Sequence, residues 1–133
     1  MEYKDYKKLV ELAKEAREKA YAPYSNFKVG ACVITEDGKT YQGCNIENAS
    51  YGLTNCAERT ALFNAYANGE RKLKAIAVIA DTEGPVSPCG ACRQVMIELG
   101  GEDMVVILSN MKGDYAIFTV KDLLPGAFTS KDM

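Results

Sequence analysis

The chain has 133 residues and not one histidine. That single absence excludes serine–histidine–aspartate triads, cysteine–histidine nucleophile pairs and every histidine-ligated metal centre. A basic surplus is missing too: 16 lysines and arginines stand against 18 aspartates and glutamates, a formal charge of −2. Proteins that grip polyanions carry an obvious positive excess, so nucleic acid is not an expected partner. No apolar run approaches the roughly 20 residues that a membrane-spanning helix needs; the longest, Ala75 to Ala80, is one short strand. The start, Met1 to Lys8, is charged and has no apolar core of a secretory signal. Cysteine is scarce: Cys32, Cys44, Cys56, Cys89 and Cys92, an odd number that cannot all pair and is well short of a disulfide scaffold. The expectation is a reduced, cytoplasmic protein without a membrane anchor.

What is present is ordinary for a folded domain: 47% hydrophobic and 26% charged residues. No linker, repeat or low-complexity stretch divides the chain, so residues 1–133 read as one domain. Tyr6, Leu9, Val10, Ala13, Ala16 and Ala20 share a face at helical spacing, predicting a helix over about 3–21 that Pro23 ends. Val29 to Ile34 and Lys39 to Cys44 read as a hairpin around Asp37-Gly38. Asn45 to Asn55 reads as a loop. A helix follows over 56–67, capped by Asn68-Gly69. Then come a buried strand over 75–80 and a helix over about 88–99, with Ser87 as its N-cap and Pro88 in its first turn. Strands over 104–108 and 115–120 and a helical turn over 121–124 complete the pattern. Helix, hairpin, helix, strand, helix, strand, strand predicts a three-layer α/β/α fold, a mixed five-stranded sheet with helices on both faces.

The chemistry gathers at the two inner helix starts. Cys89-Gly90-Ala91-Cys92 alone is compatible with a redox pair or half of a zinc site. Cysteines three apart lie on one side of a helix, and the positive end of the helix dipole favours thiolate. Cys56 opens the previous helix. Helices that start at one end of a sheet bring their N-termini together, so Cys56 can meet Cys89 and Cys92. Three thiols without an evident fourth ligand match an open, catalytic zinc centre; a fourth protein ligand would have to be a carboxylate, Cys32 or Cys44. Otherwise Cys32 and Cys44 are core or hairpin thiols. Glu58 lies two residues past Cys56, and in a first turn it can converge on the same point. A carboxylate there suits general acid–base work beside a metal. Zinc with three thiolates is net negative. The adjacent Arg59 can donate to ligand sulfurs and supply compensating charge.

The pattern Cys56-Ala57-Glu58 followed by Pro88-Cys89-Gly90-Ala91-Cys92 resembles the signature of zinc-dependent nucleoside and nucleobase deaminases, in its three-cysteine variant. Tyr21-Ala22-Pro23-Tyr24-Ser25, Phe27, Val29-Gly30-Ala31, Gly43 to Tyr51, Ser87 to Gln94 and Leu123 to Phe128 are similar to the small cytidine deaminases, across nearly the whole chain. The resemblance implies that Cys56, Cys89 and Cys92 bind one Zn2+ per subunit and that Glu58 shuttles protons. It implies that Phe27 packs on the pyrimidine, that Asn45 and Glu47 bond the ribose 3′-hydroxyl, and that the Ala57 N–H holds the base carbonyl. In homotetrameric members neighbouring subunits complete each site; the matching positions are Ala49, Tyr51 and Phe128. The implied reaction is hydrolytic deamination of cytidine and 2′-deoxycytidine to the uridines, with release of ammonia, in pyrimidine salvage.

One physical point supports the sugar assignment. A carboxylate and an amide two residues apart on an extended segment point to one side and complement a hydroxyl that both donates and accepts. No Lys- or Arg-rich loop follows that would hold a phosphate, which favours nucleoside over nucleotide. The competing readings are a blasticidin-type deaminase, a polynucleotide-editing deaminase, a non-catalytic zinc module that would not need Glu58, and a redox protein that would not need Cys56.

Overall fold

The computed structural model describes residues 3–133; Met1 and Glu2, the first residues of the charged N-terminus, lie outside the described residues. Five strands form one sheet: β1 (Val29–Thr35), β2 (Thr40–Cys44), β3 (Leu73–Ala80), β4 (Val105–Asn110) and β5 (Tyr115–Thr119). Their order is β2-β1-β3-β4-β5. Only β3 and β4 run parallel; the other pairs are antiparallel, so the sheet is mixed as expected. Four helices are laid on it: α1 (Lys7–Arg17), α2 (Ala57–Ala67), α3 (Gly90–Gly100) and the single turn α4 (Val120–Leu123).

The period-two alternation of the inner strands divides the core into two layers. Cys32, Ala75, Ala77, Ile79, Val105 and Ile107 face Tyr6, Leu9, Val10 and Ala13, on and just before α1. Ala31, Val33, Ile76, Val78, Val106 and Leu108 face Ala57, Ala61, Leu62 and Ala65 of α2, Met96 and Ile97 of α3, and Val120 of α4. Continuous apolar runs are required because β3 and β4 are covered on both faces. At Asp37-Gly38 the hairpin turns with Gly38 at φ 91°, in the left-handed region that glycine enters without strain. Gly43 in β2 has another reason: a Cβ there would lie 2.3 Å from Ala61 N and 2.7 Å from Ala57 O. The absent side chain lets α2 sit directly on the edge strand.

Several expected boundaries move. The first helix is shorter than 3–21: Tyr3–Asp5 is a 3-10 turn and α1 ends at Arg17. Beyond it the chain tightens into three-residue turns, with Lys19 N on Ala16 O and Ala20 N on Arg17 O. Tyr21 N then bonds Asn45 O, and Glu47 N bonds Tyr21 O. Those partners take the backbone groups that a continuing helix would need. The residues read as a plain loop, Asn45 to Asn55, therefore contain isolated bridges from Ile46 to Tyr21 and to Asn55, and a 3-10 turn at Tyr51–Leu53. β4 continues past Leu108 because its polar end is buried and bonded: Ser109 Oγ donates to Val78 O at 2.8 Å. β3 starts at Leu73 rather than Ala75, since an exposed Lys74 interrupts only the hydrophobic pattern, not the ladder.

The α3 start corrects the predicted cap. Pro88 is outside the helix and Ser87 is not its N-cap. Cys89 is, in extended conformation, with its thiol accepting from Cys92 N at 3.4 Å. Cys56 holds the equivalent place before α2, also extended and also outside the helix proper.

Candidate metal centre and active site

β2-α2-β3-α3-β4 runs so that both α2 and α3 begin at the end of the sheet where parallel β3 and β4 finish. The thiols of Cys56, Cys89 and Cys92 meet there, all within 4.8 Å of one another. Cys56 Sγ and Cys89 Sγ are 3.9 Å apart, and Cys89 Sγ and Cys92 Sγ 3.3 Å. Zn–S bonds of about 2.3 Å in tetrahedral geometry require sulfurs ~3.8 Å apart, so three soft donors at these separations fit one zinc ion. No fourth cysteine joins them: Cys32 is buried in the sheet and Cys44 closes β2.

Arg59 reaches the same point from the first turn of α2. Its Nη2 donates to Cys56 Sγ at 3.3 Å. Its Nε is buried and has no partner among the described residues. A buried guanidinium nitrogen left open beside sulfurs suits a cluster that carries net negative charge once a metal draws off the thiol protons. The electrostatics already lean that way. Cys56 is pulled down to about 5, first by its hydrogen bond with Cys92 and then, against the cost of burial, by Arg59. Cys92 is pushed up, first because its proton is shared with Cys56 and then by burial.

Glu58 is 5% exposed, in the first turn of α2 between these groups. Burial pushes its carboxyl up to about 7, its own backbone N–H works the other way, and the negative charge of Cys56 adds to the rise. The α2 start is braced from below: Asn55 Nδ2 donates to Thr60 Oγ1, and Thr60 Oγ1 donates to Cys56 O. Ala57, fully buried, is the first helical residue, so its N–H belongs to the unsatisfied first turn.

Asn45 and Glu47 do extend to one side, and what they hold there is the segment that carries Phe27. Asn45 is buried; Oδ1 accepts from Val29 N at 2.9 Å and Nδ2 donates to Phe27 O at 2.7 Å. The Glu47 carboxylate accepts from Tyr24 N at 2.9 Å, from Ser25 N at 3.1 Å and from the Ser25 hydroxyl. Those donors, the Ser25 hydroxyl first, hold Glu47 below the usual carboxylate range. Ser25 Oγ also accepts from Phe27 N. Phe27 stays 42% exposed. Tyr24, Ser25, Glu47, Asn48, Tyr51 and Thr54 line one open pocket.

Ala49, Tyr51 and Phe128 are exposed, Tyr51 by 78% and Phe128 by 62%. The Phe128 carbonyl accepts from Gln94 Nε2 at 2.9 Å, which ties the C-terminal segment to α3. Sequence reasoning missed Ser25, Thr60, Arg93 and Gln94 as supports. Only Ser25, in a Pro-Tyr-Ser-Asn turn, carried a local signal; Thr60 bonds Cys56 O within its own helix start, while Arg93 and Gln94 also reach Leu123 O and Phe128 O about a quarter of the chain away.

A family model described as the cytidine and deoxycytidylate deaminase zinc-binding region matches residues 3–108. Over 129 residues the chain is 59% identical to a cytidine deaminase of Sporosarcina psychrophila, covering 97% of this chain and 95% of that protein. Against a cytidine deaminase of Halalkalibacterium halodurans the identity is 60% over 129 residues, covering 97% and 98%. A crystal structure of a cytidine deaminase from Burkholderia pseudomallei superposes with a TM-score of 0.92 at 63% identity, covering 92% of this chain and 98% of that one. The chain belongs to the zinc-binding deaminase family, among the small cytidine deaminases.

Proposed function

We propose that this chain hydrolyses cytidine and 2′-deoxycytidine to uridine and 2′-deoxyuridine with release of ammonia, as one catalytic domain over residues 1–133. The observation that carries the reading is the buried Glu58 set beside three convergent thiols at two helix N-termini. Cys56, Cys89 and Cys92 hold the zinc, which when bound supplies Lewis acidity and acidifies water. Glu58 accepts the proton of the attacking water and delivers it to N3 of the cytosine. It then takes the second proton of that water from the hydroxyl now on C4 and passes it to the 4-amino group, which leaves as ammonia while the C4 carbonyl forms. Burial is what gives a carboxyl this two-way role, since it brings the proton affinity towards neutrality.

The Ala57 N–H, at the positive end of α2, bonds the base carbonyl. Phe27 packs on the pyrimidine. Asn45 and Glu47 bond the 3′-hydroxyl while keeping their hold on the Phe27 segment, so sugar and base contacts share one support. Arg59 steadies the thiolates. In a homotetramer, Ala49, Tyr51 and Phe128 of neighbouring subunits complete each site. Exposed aromatics of this size on a monomer favour a surface that another subunit covers. The partner is a small nucleoside, not nucleic acid, and the setting is cytoplasmic pyrimidine salvage; no helix among the described residues is long and apolar enough to cross a membrane.

The test is conversion of cytidine to uridine by zinc-loaded protein, with Glu58→Gln beside it. The variant should retain zinc and lose turnover by about 10²–10⁴-fold. Zinc-loaded wild type that leaves cytidine intact, or Glu58→Gln at full rate, would overturn the reading.

A further inference from the structure

We propose that Arg93 is a positioning residue that clamps the metal-ligating turn of α3 to the C-terminal segment, and that its fork of donors, not its charge, sets how long the metal is retained. This rests on Cys89 and Cys92 holding zinc. Cys89 enters α3 in extended conformation, so the Pro88 carbonyl and the Ser87 hydroxyl before it lie outside the helical ladder. Arg93 donates to both. Its Nε donates to Pro88 O at 3.0 Å, directly before the ligand residue. Its Nη2 donates to Ser87 Oγ at 2.8 Å. Its Nη1 donates in another direction, to Leu123 O at 2.7 Å, at the end of α4. Its backbone N–H bonds Cys89 O at 3.1 Å.

One residue thus holds Ser87, Pro88 and the Cys89 carbonyl and anchors them to an element 30 residues away. Gln94 extends the attachment to Phe128 O. α4 is fixed in turn by its own capping box at Thr119 and Asp122, and by Val120 buried in the core. Arg93 forms no ion pair among the described residues; its guanidinium bonds neutral oxygens. A planar guanidinium satisfies three acceptors in fixed directions, whereas an ammonium on a flexible stem cannot reach all three. Groups that orient a metal ligand typically change metal affinity by 10–100-fold when removed.

The experiment is the rate of zinc transfer from the intact zinc-loaded protein to a chromogenic chelator, read beside thermal unfolding. Arg93→Ala and Arg93→Lys should both release zinc about 10–100-fold faster than wild type. Ser87→Ala, which removes one arm of the clamp, should release it about two- to tenfold faster and decides the matter if the Arg93 variants do not fold. Arg71→Ala loses a guanidinium bonded to Tyr66 O and Glu70 O away from the turn, and should release zinc at the wild-type rate. Leu9→Ala, which weakens the opposite face of the core, controls for lost stability. Wild-type release from Arg93→Lys would overturn the proposal, because it would assign the effect to charge. So would a release from Leu9→Ala as fast as from the Arg93 variants. A wild-type protein that binds no zinc would instead sink the metal reading beneath it.

Discussion

The starts of α2 and α3 are built from the same parts and do different work. Each has an extended cysteine at the N-cap, one small residue directly after it, and an arginine within the first turn or just beyond it. At α2 the Cys56 thiol makes no cap bond, and Arg59 turns its guanidinium onto the sulfur. At α3 the Cys89 thiol caps the helix, and Arg93 turns away to backbone and hydroxyl oxygens. The α2 start also carries the one buried carboxyl of the cluster, Glu58. On the proposed reading, ligand position and proton chemistry are therefore separated. α3 contributes two thiols, while α2 contributes one thiol, a buried carboxyl and a guanidinium bonded to sulfur. A helix start is only a place with free N–H groups and a positive field; the residue one turn in decides which use it gets.

The sharpest way to break this comparison is Arg59→Ala. If α2 is the chemical start, losing the guanidinium should lower turnover by about 10–100-fold, with the fold retained by circular dichroism. Zinc content and turnover both at wild-type level would erase the distinction between the two arginines.

A smaller effect separates the two starts by packing. Gly43 lies under the first turns of α2, where an added methyl meets backbone at 2.3 Å and 2.7 Å. Gly90, the first residue of α3, has nothing within 4 Å of the same atom. Gly43→Ala should lose about 1–3 kcal/mol of stability in urea unfolding, as overpacking against backbone does. Gly90→Ala should stay within about 0.5 kcal/mol. Equal losses would mean that α2 is not pressed onto its strand more tightly than α3.

Much of this was legible in the sequence, for a physical reason in each case. Buried strands reveal themselves by continuous hydrophobicity, so β3 and β4 were readable to within two residues at each end. The Asp37-Gly38 turn dictated the hairpin. Spacing in Cys56 and Cys89 to Cys92, with a rule for where helices start on a sheet, was enough to expect the three thiols to meet. The illegible parts depend on which hydrogen-bond partner each group takes in the folded chain. The first helix stops early because Asn45 and Glu47 claim the backbone at Tyr21. Ser87 loses the cap to Cys89 because a thiol can accept the Cys92 N–H while the serine serves Arg93. Asn45 and Glu47 read as sugar ligands, and the grip of their side chains on the Phe27 segment shows only in three dimensions.

The last contrast sets the thiols of the helix starts against the one thiol sealed in the sheet. Cys32 lies at the middle of β1 with no exposed surface, paired in register with Gln42 and Ala77. Burial is the main force pushing its thiol up from 9.0 to about 12, which suppresses the thiolate at neutral pH. The thiolate is the species that alkylating reagents attack. Folding here favours the protonated form, so the associated stability is present below the ordinary thiol value of 9.0. It is lost as pH climbs towards the folded value. Iodoacetamide should leave Cys32 unmodified in the native zinc-loaded protein at neutral pH and modify it fully in urea, as peptide mass spectrometry would show. Native labelling of Cys32 at the rate of an unfolded thiol would mean that the α1 face opens readily. The packing that holds the helix starts in place would then have to come from the α2–α3 face alone.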